Sequence, residues 1–192
     1  MAHIKPLTTD EILKLKAVAL YIVDKCESID YFHLFKILYF ADREHYARYG
    51  RRIVSDTFCA LKNGPVPSNL YDVVKDVNGA ERLLPSSPLK VISLAFCVPD
   101  STYPYIISAN ERPDCDELSK SDMEMLDKSI EANKDVPFRK LSDLSHDGAW
   151  TDAHNRQPNS EMDPLMMAKA AGASDDTMAY LRDEADIDGM LR

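Results

Sequence analysis

The sequence predicts a compact, mainly α-helical domain of α+β type with a small antiparallel β-hairpin or sheet. Three observations predict it. Apolar residues recur at helical period over most of the chain, in runs opened by Ser, Thr or Asp and closed by Gly or Asn. Extended character is confined to two short passages, residues 51–60 and 90–108. A length of 192 residues at 45% hydrophobic content is enough for one sizeable core.

The first helix is predicted over residues 9–26. Thr8 and Glu11 stand at capping-box spacing, with Thr9 and Asp10 as alternative caps, and Ile12, Leu15, Val18 or Ala19, Ile22 and Val23 repeat behind them. Ser28 or Asp30 caps a second helix over 30–48, which ends at Gly50 where a left-handed backbone costs little. At about 100° per residue, Leu34, Leu38, Ala41 and His45 share one side of this helix, with Asp42 and Tyr49 adjoining. Lys36 and Arg43 project opposite. Phe35, Ile37, Tyr39 and Phe40 spread apolar surface round most of the circumference, which implies packing on several sides. Asp42, His45 and Tyr49 therefore fall inward, and buried polar groups need partners, within the trio or on the loop that follows.

Ile53, Val54, Thr57 and Phe58 suggest a short strand or an extended loop, and Asn63-Gly64-Pro65-Val66-Pro67 reads as a breaker. Ser68 then caps a helix that Asn78-Gly79 ends. Pro85 to Pro88 is a connector. Ile92, Leu94, Phe96 and Val98 alternate as a half-buried strand, and residues 103–108 return as its hairpin partner. After a polar loop at 110–117, Ser119 or Ser121 caps a helix running to Asn133, and a helical turn at 138–144 leads into Ser-His-Asp-Gly-Ala-Trp. Asp163-Pro164 opens a Met- and Ala-rich helix, whose Met162, Met166, Met167 and Met178 suit either a core or an adaptable binding surface. Ser174 caps another helix in a tail with six acidic residues from Asp175 onward, against Arg182 and Arg192. The expected organisation is a domain over 1–156 and a helical extension over 157–192 packed on it.

Net charge is −9, which argues against direct nucleic-acid binding through clustered cations; Arg43, Arg48, Arg51 and Arg52 sit among acidic residues as ion-pair partners. The four cysteines form no CxxC pair and suit a reducing compartment. The first residues carry no apolar signal core, and no run reaches the ~18 apolar residues of a membrane span, so the expected location is cytoplasmic.

No catalytic motif of recognisable spacing occurs, so no catalytic residue, metal or cofactor is assigned. Asp42, His45 and Tyr49 could supply a base with its orienting carboxylate or two metal ligands, and His146 and Trp150, sharing a face if helical, could form a metal or ligand site with His154, but packing roles are favoured for both groups. His3 and His33 add no HExxH spacing. Gly64-Pro65 lacks the glycine pattern of a phosphate loop.

The run Lys36-Ile37-Leu38-Tyr39-Phe40-Ala41-Asp42, followed by His45, Tyr49-Gly50, Asp56-Thr57 and Gly64-Pro65-Val66-Pro67, resembles the signature of the SocA-like, or Panacea-domain, antitoxin family. Leu118-Ser119, Ser145-His146 and Trp150 look like its downstream elements, so the likeness spans about residues 10–155. The resemblance implies a non-enzymatic, phage- or bacterium-associated antitoxin that binds and neutralises a cognate toxin, with delivery to a ClpXP-type protease as an alternative. A small metal-dependent hydrolase using Asp42, His45 and His146 is the remaining reading. The motif residues Lys36, Tyr39, Phe40, Asp42, His45, Tyr49, Gly50, Gly64, Pro65, Val66, Ser145, His146 and Trp150 are expected to serve the scaffold, since most project inward.

Overall fold

The computed structural model describes residues 6–190; His3 and Arg192 lie outside the described residues. The helices are α1 Thr9–Lys25, α2 Tyr31–Tyr49, α3 Ser68–Val77, α4 Lys90–Ser93, α5 Lys120–Asn133, α6 Phe138–Ser145, α7 Gly148–Arg156, α8 Pro164–Ala170 and α9 Asp175–Met190. The strands are β1 Ile29–Asp30, β2 Phe58–Leu61, β3 Gly64–Pro67, β4 Phe96–Cys97 and β5 Ile106–Ala109. The chain is thus mainly α with minor antiparallel β structure, as its periodicity predicts.

The element at the centre is α2. Residues 34–42 are buried without a break, because α1, α5, α6, α8 and β3 all pack around this helix. Asp30 caps it through the His33 amide, and Gly50 closes it at φ 69°. The capping box of Thr8 and Glu11 forms at α1, and Ser119 with Asp122 forms a second one at α5. Buried Ser129 donates to the Ile37 carbonyl at 2.8 Å, which joins α5 to the middle of α2.

Two small sheets accompany the helices, β1-β5-β4 and the β2-β3 hairpin, all antiparallel. Here the structure departs from the sequence reading in three places. The strand expected over 90–98 is a helical turn, α4, followed by the two residues of β4. Ile92, Ala95 and Phe96 are buried while Leu94 is 69% exposed, so the true spacing is three to four rather than two. Lys90 pairs with both Asp76 oxygens and ties that turn to α3. Second, Gly64 to Pro67 is not a breaker but a strand, paired Leu61 to Gly64 through Phe58 to Pro67, and the turn is Lys62-Asn63. Its prolines occupy alternate positions, which leaves the intervening residue to keep the ladder. Third, Ser68 does not cap α3. Its hydroxyl donates to the Thr57 carbonyl, and buried Asp56 accepts the Asn69 and Leu70 amides instead.

In the C-terminal part, α8 packs on α2 and α7, and α9 packs on α8 and α2. Met162, Met167 and Met178 are buried, so these methionines fill interior space. No helix among the described residues is long and apolar enough to cross a membrane.

Candidate functional site

The family-like residues gather into polar knots strung along α2. At its C-terminal half, buried Asp42 accepts the Ile53 amide at 2.7 Å and the Val54 amide at 3.1 Å, and pairs with Arg52. A carboxylate two turns from the helix end therefore collects the backbone of the loop after Gly50. His45 does the same from the next turn. Its Nδ1–H donates to the Arg51 carbonyl at 2.7 Å, which fixes the tautomer, and Nε2 accepts from Ser121 at 3.0 Å. Burial lowers the affinity of His45 for a second proton, in keeping with that neutral ring. Asp122, also within 3.2 Å of Nε2, is held elsewhere by Lys14 and Arg51. Burial opposes charge on Asp122, yet Lys14 and the Ser119 amide keep its carboxyl below the usual range.

Tyr49 does not complete this cluster as its projection suggests. It is 39% exposed, with its ring 4.6 Å from that of His45. The physical reason is reach: the last turn of α2 runs past the elements that cover the preceding ones.

A second knot lies one turn back. Buried Tyr39 donates to Asp147 at 2.6 Å, Arg43 pairs with the same oxygen, and the other Asp147 oxygen caps α7 through Ala149 and Trp150. Phe40, also buried, lies 4.8 Å from the Arg43 guanidinium. Asp147 and Asp122 were not singled out by sequence reasoning; the cap position before Gly148 and the capping-box spacing after Ser119 were the available signals. Arg48 pairs with Glu124, so all four arginines near this helix have carboxylate partners.

The third knot, at the N-terminal half, corrects the placement of Lys36. Projected away from the apolar stripe, it is in fact fully buried, because β3 and α6 cover that side as well. Lys36 Nζ donates to the Pro65 carbonyl at 2.7 Å and lies 4.7 Å from the Phe32 ring. Burial drags its pKa down to about 7. Gly64, at φ +105°, passes so close that a Cβ there would sit 2.2 Å from Ser145 Oγ and 2.8 Å from Lys36 Cε. Ser145 itself donates to the Ser142 carbonyl, and Ser142 donates to the Asn63 carbonyl. Val66, buried, pairs with Cys59 across the hairpin.

Beside this knot the Trp150 ring is stacked between two imidazoles, His146 at 3.7 Å and His154 at 4.4 Å. Trp150 Nε1 donates to the Leu61 carbonyl, which anchors α7 to β2. Burial and the nearby Lys36 charge both disfavour protonation of His146.

The structure thus brings Lys36, Gly64, Pro65 and Ser145 together, and separately Asp42 and His45 with the loop after Gly50. It does not bring Asp42, His45 and His146 into one site. Among the described residues no group of three His, Cys, Asp or Glu side chains is placed to hold a metal ion.

Comparison with known proteins returns one family model, described as Antitoxin SocA-like, Panacea domain, matching residues 34–151. No curated protein and no solved structure matches the chain.

Proposed function

The chain belongs to the SocA-like antitoxin family with the Panacea domain, and from that membership we propose that it neutralises a cognate toxin by binding it directly. The observation that carries the reading is the match over residues 34–151, which contains Lys36, Tyr39, Asp42 and His45 of α2 and most of their partners. Those knots support a scaffold role for the motif. Asp42, His45 and Tyr39 are engaged inward on backbone carbonyls, amides and paired charges. Toxin recognition then belongs to the surface around this frame.

The test is expression of the product of the gene adjacent to this one in a host cell, with and without the chain. The expected result is growth arrest by the neighbour alone, rescue by co-expression, and co-purification of the two proteins. A neighbour harmless on its own, or arrest unchanged by the chain, overturns the reading. Following the neighbour's half-life in the same cells separates sequestration from delivery to a ClpXP-type protease, since only delivery shortens it.

A further inference from the structure

Next to the Lys36 knot the surface opens into a cavity of about 300 Å³ walled by Phe32, Phe35 and Tyr71 and bordered by Lys36, Lys62 and Asn63. No carboxylate lines it, in a chain with 32 acidic residues. The two lysines stand apart from the other cations of the region. Lys14, Arg43, Arg51, Arg52 and Lys90 all meet Asp side chains. Lys36 has one hydrogen bond, to a neutral carbonyl, and neither lysine has a carboxylate partner among the described residues. An ammonium held in a low-dielectric wall without a counter-charge is under-satisfied, and an arriving anion corrects that.

A second cavity of about 380 Å³ continues from the first across Tyr31, Phe32 and Asn63. It is lined as well by Asp30 and His33, which pair with each other at 2.6 Å, and it reaches Tyr105 and Phe138, which are 46% and 47% exposed. Together the two make an aromatic-lined channel longer than a single small carboxylic acid fills. Its shape and charge suit an extended segment with an acid flanked by apolar groups.

We propose that this channel binds a segment of the partner protein through one acidic side chain set between apolar or aromatic residues. The proposal rests on the partner-binding reading above and names where that partner docks. The carboxylate meets Lys62 at the rim and Lys36 beneath it. Phe32 covers the Lys36 ammonium and packs on Phe138 with ring centres 4.1 Å apart, so the carboxylate reaches Lys36 only when the Phe32 ring moves aside. An amide in place of the carboxylate leaves both ammonium groups without a counter-charge, which gives the site its selectivity.

The test is an NMR titration of the full chain at about pH 6, where Lys36 keeps its proton, with acetyl-Phe-Glu-Phe-amide and with its Gln counterpart. Shifts are expected at Phe32, Phe35, Lys36, Asn63 and Tyr71, with the Gln peptide bound about tenfold more weakly. Lys62→Glu, on the exposed rim, is expected to lose at least about tenfold in affinity at unchanged melting temperature. Equal binding of the two peptides, shifts centred elsewhere, or no shifts at millimolar peptide overturn the proposal. Phenylacetate binding as tightly as the Glu peptide overturns the polypeptide occupant. If Lys62→Glu loses the peptide yet still neutralises the toxin, the docking site is wrong and the antitoxin reading stands. If the unaltered chain binds the peptide but rescues no cells, the antitoxin reading alone fails.

Discussion

The two halves of α2 treat their buried charged and titratable side chains in opposite ways. Toward the C-terminus, Asp42 and His45 are closed circuits, each lone pair or proton matched by an amide, a carbonyl, a hydroxyl or an arginine. Toward the N-terminus, Lys36 has a single neutral acceptor and a cavity beside it. A satisfied buried charge holds a loop in place. An under-satisfied one holds the capacity to bind. The same helix therefore supplies frame at one end and an opening at the other, and the contrast can be attacked from either side.

The largest expected effect is at the closed end. Asp42→Asn removes the charge that pairs with Arg52 and turns an acceptor into a donor facing other donors. A loss of about 3–5 kcal/mol in unfolding free energy is expected, measured by urea denaturation. A loss below about 1 kcal/mol would show that the loop after Gly50 is held by other means. Next is Gly64→Ala, which combines a left-handed φ with a Cβ 2.2 Å from Ser145 Oγ. A cost of about 2–4 kcal/mol is expected, with part returned by adding Ser145→Gly, because that clash and not the backbone angle is then relieved. Equal losses in the single and double variants would place the cost in φ and in the crowding against Lys36 Cε, 2.8 Å away.

How far this contrast was legible in the sequence differs between the ends. Periodicity located α2 and put Asp42 and His45 inward, because both project on or beside the stripe of Leu34, Leu38 and Ala41. It put Lys36 outward because that residue projects opposite this stripe, and failed there because a helix covered on every side has no polar face to reveal. The apolar Phe35, Ile37 and Phe40 around it were the available hint. Strand boundaries near Leu94 and Gly64 were lost to a different cause. Ile92, Leu94 and Phe96 alternate in sequence, but the Lys90 to Asp76 pair fixes a helical turn, and no local signal announces a partner fourteen residues away. Asp147 and Asp122 were hidden as ordinary caps, since their long-range ligands Tyr39, Arg43, Lys14 and Arg51 come from distant segments.

The open end makes a prediction with a sign. Lysine in the unfolded chain keeps its proton to about pH 10.5, whereas burial brings the folded Lys36 down to about 7. Between those values the unfolded state binds the extra proton, so this group adds stability as pH rises from 7 and contributes no slope below it. Compared with Lys36→Met, the unaltered chain is expected to gain about 2 kcal/mol between pH 7 and pH 9, from urea unfolding of both at each pH. Parallel pH profiles for the two proteins would mean that Lys36 stays charged in the fold and is better satisfied than its single carbonyl implies.

The smallest effect falls on Tyr49, where the two descriptions of the closed end disagree most directly. On a helical wheel Tyr49 sits seven residues from Asp42 and so nearly above it, which makes a hydrogen-bonded trio the natural expectation. In the structure the hydroxyl has no partner among the described residues, and the ring lies against His45 at the edge of the packed region. Covering an imidazole needs only the ring. Tyr49→Phe is therefore expected to change stability by less than about 0.5 kcal/mol, while Tyr49→Ala, which uncovers His45, costs about 1 kcal/mol. A Phe variant as damaging as the Ala variant would restore the hydroxyl to the knot. It would also mean that the closed half of α2 extends one turn further than its burial shows.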